Sequence, residues 1–255
     1  MEWPFVISLS HSSGRIPDAL RPAYALSDEE IADSIDLGTG EIFGSLPTVA
    51  VLSASWSRLV ADLNRGPGER GPRGVIAEVD YDGRVVYHPG CVPDDQERER
   101  RIGQYYMPFH ERFDAVLERG GAAMVFDCHS LCEVGPLEAP DPGIRRKDIV
   151  LGNNGNSRGA ARSPLGNTTC PADMLFQVKE AFERHGFSVS INDPYAGGYI
   201  VTHYGRKYAR KGLTAIQLEI NQALYTEKKR LVPERVGQVT DRIHRTFEAI
   251  ARSLG

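Results

Sequence analysis

Five short apolar runs, Phe5 to Ser10, Val49 to Ser53, Ala122 to Asp127, Phe187 to Ile191 and Ala215 to Ile220, are separated by segments long enough to hold helices. That alternation constrains the fold more than any other feature: short buried strands joined by helical crossovers argue for an α/β sandwich. Shorter runs near Val75 to Val79, Val85 to Tyr87 and Tyr199 to Val201 also read as strands. Three of the intervening segments carry helical spacing. The first starts after Asp94-Asp95, presents Ile102, Tyr105, Tyr106, Phe109, Phe113, Val116 and Leu117, contains His110, and can stop at Gly120-Gly121. The second follows Pro171-Ala172-Asp173, turns Met174, Leu175, Val178, Ala181 and Phe182 inward and stops at Gly186. The third follows Pro233 and carries Val236, Val239, Ile243, Phe247 and Ile250 on one face.

A chain of 255 residues without internal repeats fits one domain spanning residues 1–255, and the Gly/Pro/Arg-rich stretch from Asn64 to Gly74 reads as a surface loop within it. The net charge of −4 supplies no field for nucleic acid or an anionic membrane, so an anionic ligand has to be met by local arginines. No apolar run approaches the roughly 20 residues of a membrane span, and Met1-Glu2-Trp3-Pro4 lacks a basic leader, which predicts a cytoplasmic protein. Cys91, Cys128, Cys132 and Cys170 are too few for a disulfide framework, in keeping with a reducing compartment.

Ligand sites in α/β sheets gather at the carboxyl ends of strands, and there three segments place polar residues: Ser8-Leu9-Ser10-His11, Phe126-Asp127-Cys128-His129 and Ile216-Gln217-Leu218-Glu219. Two histidines with a strand-borne glutamate suggest a hydrolytic metal site, because a catalytic zinc takes three protein ligands and leaves a position for water. Asp127 can orient His129 from behind or cap a turn. Glu219 interrupts an apolar run, and a buried carboxylate either pairs or works. A nucleophilic Cys128 fits less well, since neighbouring strand residues point to opposite faces. His88, His110, His185 and His244 read as structural, and His203 in its Gly-rich segment stays open.

The chain also resembles a known family. His11-Ser12-Ser13-Gly14 with Pro17, Asp36, the segment Ser57-Arg58-Leu59-Val60-Ala61-Asp62-Leu63-Asn64-Arg65, Asp127-Cys128-His129-Ser130, Gly197-Gly198-Tyr199-Ile200, and Gln217-Leu218-Glu219-Ile220-Asn221 with Tyr225 are similar in order and spacing to N-formylglutamate amidohydrolases. That family resembles the zinc carboxypeptidase clan. The resemblance implies a central mixed, mostly parallel sheet flanked by helices, as in carboxypeptidase-like or phosphorylase/hydrolase-like sandwiches.

It further implies one Zn2+ per chain, replaceable by other divalent ions, with His11 and His129 as ligands and Glu219 as general base. The carboxypeptidase spacing would put a glutamate at position 14, where this chain has Gly14. The resemblance therefore selects Asp36 as the remaining ligand, with Glu41 and Glu30 in reserve; Asp28, Glu29 and Glu30 also read as a solvated helix start after Ser27. Asn64 and Arg65 inherit a substrate-carboxylate role by position. Arg58 is the candidate for stabilising a developing oxyanion, or a surface ion-pair residue. Arg206 is the candidate for a second carboxylate, or part of a solvated basic face, and His203 joins the substrate-binding group. The implied activity is deformylation of N-formyl-L-glutamate in histidine breakdown. A zinc amidohydrolase or carboxypeptidase-like enzyme acting on another N-acyl anionic amino acid, or a non-catalytic binding protein on the same fold, are the alternatives. The implied partner is a small anionic molecule; oligomeric state is not legible.

Overall fold

The computed structural model describes residues 2–254. Strands β1 (Trp3–Leu9), β2 (Thr48–Ser53), β3 (Met124–Leu131), β4 (Ile149–Gly152), β5 (Val189–Ile191) and β6 (Thr214–Asn221) form one six-stranded sheet in the order β2-β1-β3-β6-β4-β5. Every neighbouring pair is parallel except β4 against β6. A separate two-stranded hairpin joins β7 (Thr226–Glu227) to β8 (Arg230–Leu231).

Period-two alternation divides the sheet residues between two cores. Phe5, Ile7, Leu9, Phe126, Cys128, Ile216 and Leu218 face one side, against helices α2 (Thr39–Phe43), α5 (Ala172–Arg184) and α7 (Pro233–Leu254). There Phe247 of α7 sits among Phe5, Phe43, Phe126 and Phe182, with ring centroids 4.8 to 6.2 Å away. Val6, Val125 and Ala215 face the other side, against α4 (Met107–Arg119) and α6 (Tyr199–Lys207). Cys128 thus packs in the core opposite His129's face, and all four cysteines are free.

The helix expected from Asp94 to Gly120 is continuous but not uniform. It runs as α3 (Asp95–Arg101), a π-helical stretch at Ile102–Tyr106, and α4. Pro108 has no N–H for the usual bond one turn back, and the widened turns precede it. Short α1 (Asp28–Ala32) carries the acidic start expected after Ser27, closed by a capping box between Ser27 and Glu30.

Several sequence expectations are corrected. Tyr199 to Val201 opens α6 rather than a strand: Ile200, Val201 and Tyr204 recur at helical spacing and pack against α4, with Tyr204 stacked 4.0 Å from Phe113. Val75 to Val79 and Val85 to Tyr87 are loop segments joined only by single bridges, Val79 to Val85 and Tyr24 to Tyr87. β4 was not anticipated, its four residues being too short a run to stand out. β3 begins at Met124 and continues past Asp127, so His129 lies inside a strand. Among the described residues, no helix is long and apolar enough to cross a membrane.

Candidate active site

The second face of the sheet changes character toward the strand ends. Its apolar row of Val6, Val125 and Ala215 is followed by Ser8, Asp127 and Gln217, and then by His129 and Glu219 as register partners. Parallel neighbours lie about 4.8 Å apart, so these polar side chains form a contiguous buried floor.

His11 follows β1 through a turn in which Ser12 Oγ donates to Leu9 O at 2.9 Å. The Asp36 loop docks on that turn, with Asp36 N donating to His11 O at 3.0 Å. Tyr225 holds the loop from beneath by donating its hydroxyl to Leu37 O at 2.8 Å, and Gly38, at φ 85°, lets the backbone turn where a Cβ would strike the Tyr225 ring.

These contacts bring three sequence candidates together. Asp36 Oδ2 lies 2.8 Å from His129 Nδ1 and 3.4 Å from His11 Nδ1, and the three prospective ligand atoms fall within 4.8 Å of one another. Each ring's other nitrogen meets a carboxylate at 2.8 Å: His11 Nε2 donates to Asp62 Oδ1 and His129 Nε2 to Asp127 Oδ2. For a ring that binds a metal, this arrangement selects the tautomer with a lone pair on Nδ1. His11 Nδ1 is buried and has no hydrogen-bond partner, and His129 Nδ1 in that tautomer faces a second acceptor, Asp36 Oδ2. Two imidazoles and a carboxylate with their lone pairs converging form the N/O donor set of a divalent-metal site, and the residues fit such an ion. The reserve ligands are engaged elsewhere: Glu30 caps α1, and Glu41 is exposed on α2.

The electrostatics follow from this crowding. Burial disfavours charge on Asp36, yet the His11 and His129 imidazoles against it hold its carboxyl well below the usual range. Burial also opposes charge on His129, but Asp127 and Asp36 raise it well above an ordinary imidazole. Glu219 behaves oppositely. Burial, reinforced by Asp36 and Asp127, pushes it up to about 8 against the opposing pull of His129 and Arg146.

The remaining candidates separate. Arg58 Nη2 donates to Asp62 Oδ2 at 2.7 Å, so it backs the carboxylate behind His11. Asn64 is buried beside His129, with Nδ2 3.1 Å from His129 Nε2, and its Oδ1 accepts from Ile200 N at 2.8 Å, tying this loop to the start of α6. Gly198 permits that approach, because a Cβ there would overlap the Asn64 side chain. Arg65 is half-buried and donates Nε to Arg73 O at 3.2 Å. Arg206 and His203 lie on α6. Arg206 is exposed and donates to Leu165 O at 2.9 Å, while His203 stacks on Tyr199 with centroids 4.9 Å apart.

Sequence reasoning gave no role to Asp62, Gln217 or Arg146. The first two sat inside motifs already singled out, so the signal was present. Gln217 Nε2 donates to Glu219 Oε1 at 2.9 Å. Arg146 is buried in a bidentate pair with Asp141, at 2.8 and 2.6 Å, and donates to Tyr195 OH at 3.2 Å. Its place in the polar stretch Ile144-Arg145-Arg146-Lys147 gave no hint of burial.

The chain is similar to several known proteins. The N-formylglutamate deformylase of Pseudomonas aeruginosa is 30% identical over 241 residues, covering 89% of this chain and 83% of that protein. The deformylase of Pseudomonas putida is 27% identical over 236 residues, covering 88% and 82%. Among solved structures, N-formylglutamate amidohydrolase from Ralstonia eutropha JMP134 superposes with a TM-score of 0.80 at 23% identity, over 99% of this chain and 94% of that one. Gene product Atu2144 from Agrobacterium tumefaciens gives 0.67 at 23% identity, over 99% and 92%. Because the family model described as N-formylglutamate amidohydrolase matches residues 3–226, a span that takes in every element of the site from His11 to Tyr225, the chain belongs to that family.

Proposed function

We propose that this protein hydrolyses the N-formyl amide of N-formyl-L-glutamate to formate and L-glutamate, a step of histidine breakdown in the cytoplasm. The observation that carries the reading is the buried His11–Asp36–His129 cluster with Glu219 in register beside His129. The deformylase relatives support the choice of substrate.

A zinc ion held by His11, Asp36 and His129 would acidify a water and polarise the formyl oxygen. Glu219 Oε2, held ionised by the ion's charge, accepts the water proton as the water oxygen bonds to the formyl carbon. The same carboxyl then returns the proton to the amide nitrogen, the C–N bond breaks, and formate and the free amine leave. Arg58 uses one N–H on Asp62 and offers its others to negative charge developing on the formyl oxygen. Arg65 presents a planar guanidinium suited to a substrate carboxylate, and Asn64 shapes the same wall.

The test is formate release from N-formyl-L-glutamate by zinc-loaded protein, beside chelated protein and Glu219→Gln. Release lost in both controls supports the assignment. Stoichiometric zinc without formate release removes this substrate, and activity surviving Glu219→Gln removes the base.

A further inference from the structure

Gln217 stands two residues before Glu219 on β6, on the same face of the strand, and is 5% exposed. Its Nε2 donates to Glu219 Oε1 at 2.9 Å. With Glu219 ionised, as the general-base assignment requires, charge settles which way the amide points. The opposite orientation would set the amide carbonyl against a carboxylate oxygen at that distance, acceptor against acceptor.

A glutamine kept for stability would be satisfied at both ends, and this one is not. Gln217 Oε1 is buried without a hydrogen-bond partner, beside the equally unpartnered Oδ1 of its register neighbour Asp127. A half-satisfied amide in the interior is a net cost to folding. The one bond it makes goes to the carboxylate that must meet the reacting water.

We propose that Gln217 is a positioning residue for the hydrolysis: by pinning Oε1 of Glu219 it fixes the plane of that carboxylate and directs Oε2 alone toward the water. The inference rests on the assignment of Glu219 as general base. A carboxylate free to turn about its last torsion spends much of its time misaligned. Removing that freedom is worth a substantial factor in rate, since displacements near 1 Å cost on the order of 100-fold. Asp127 does the equivalent for His129, so adjacent strands each carry a positioning residue two places before a site residue.

The experiment compares Gln217→Met, nearly the same shape without a donor, and Gln217→Asn, an amide one methylene too short to reach. Wild type and both variants are assayed on N-formyl-L-glutamate, with Tm and bound metal measured on the same samples. The expected result is kcat lower by roughly 10- to 100-fold, KM within about threefold of wild type, metal content unchanged, and a Tm for Gln217→Met equal to or above wild type. If Gln217→Met does not fold, Gln217→Asn supplies the same comparison. A kcat within about twofold of an active wild type overturns the positioning role alone. So does a kcat loss that follows a loss of metal or Tm. A wild-type protein that releases no formate overturns the functional reading beneath it, and is told apart because variant and wild type are then equally silent.

Discussion

His129 Nδ1 and Asp36 Oδ2 lie 2.8 Å apart although 93 residues separate them. The opposite edge of the same ring is held at 2.8 Å by Asp127 Oδ2. An imidazole clamped between two carboxylates cannot rotate away, which preorganises it for the proposed metal site.

This clamp predicts how metal binding responds to mutation. His11→Ala and Asp36→Asn should each reduce bound metal to well below one ion per chain in elemental analysis. Asp62→Asn and Asp127→Asn, which disturb the groups behind the ligands, should weaken affinity by roughly 10- to 100-fold and still bind. Wild-type affinity in Asp36→Asn would exclude Asp36 as a ligand.

Metal uptake should release a proton. In the metal-free protein Asp127 and Asp36 raise His129 well above an ordinary imidazole, so the ring is protonated near neutral pH, while a ligand must be neutral. Affinity should therefore weaken as pH falls. Titration calorimetry in two buffers of different ionisation enthalpy counts the proton, and identical heats in both would contradict this.

Glu219→Gln should lower formate release by at least 100-fold, the scale of a lost general base. It should also change the pH dependence of stability. Burial raises Glu219 from 4.5 to about 8 in the folded, metal-free protein, so between those values the folded state keeps a proton that the unfolded chain releases. Stability from this group is present at low pH and falls as pH rises through that window. Urea unfolding of metal-free protein at pH 5 and pH 8 should show the fall in wild type and a smaller one in Glu219→Gln.

Two arginines make a paired prediction about the substrate. Arg65→Ala should raise KM for N-formyl-L-glutamate by roughly 10- to 100-fold, the range for a lost hydrogen bond to a charged group. Arg206→Ala, whose guanidinium is exposed and spent on Leu165 O, should leave KM within about twofold. The reverse ranking in steady-state kinetics would move the carboxylate site to α6.

Phe247 touches four other phenylalanines across one core. Phe247→Ala should cost about 3 to 5 kcal/mol in chemical denaturation, from lost burial plus the cavity left behind. A cost under about 1 kcal/mol would mean that the core relaxes around the gap.

Local pattern was enough to reveal much of this protein. Short apolar runs marked β1, β2 and β6, a 3.6-residue stripe marked α5 and α7, and polar residues at the ends of apolar runs pointed to His11, His129 and Glu219, because burial leaves its mark within a few residues. The same local signal misread Tyr199 to Val201, where β-branched residues next to paired glycines look extended until packing against Phe113 selects the helix. Pairings between distant segments left no local mark at all. Asp62 reaches His11 across 51 residues, and Arg146, in a charged stretch, is buried against Asp141 and Tyr195. Only the tertiary structure decided these, since strand register and loop docking, rather than periodicity, determine which polar groups share the dry floor of the site.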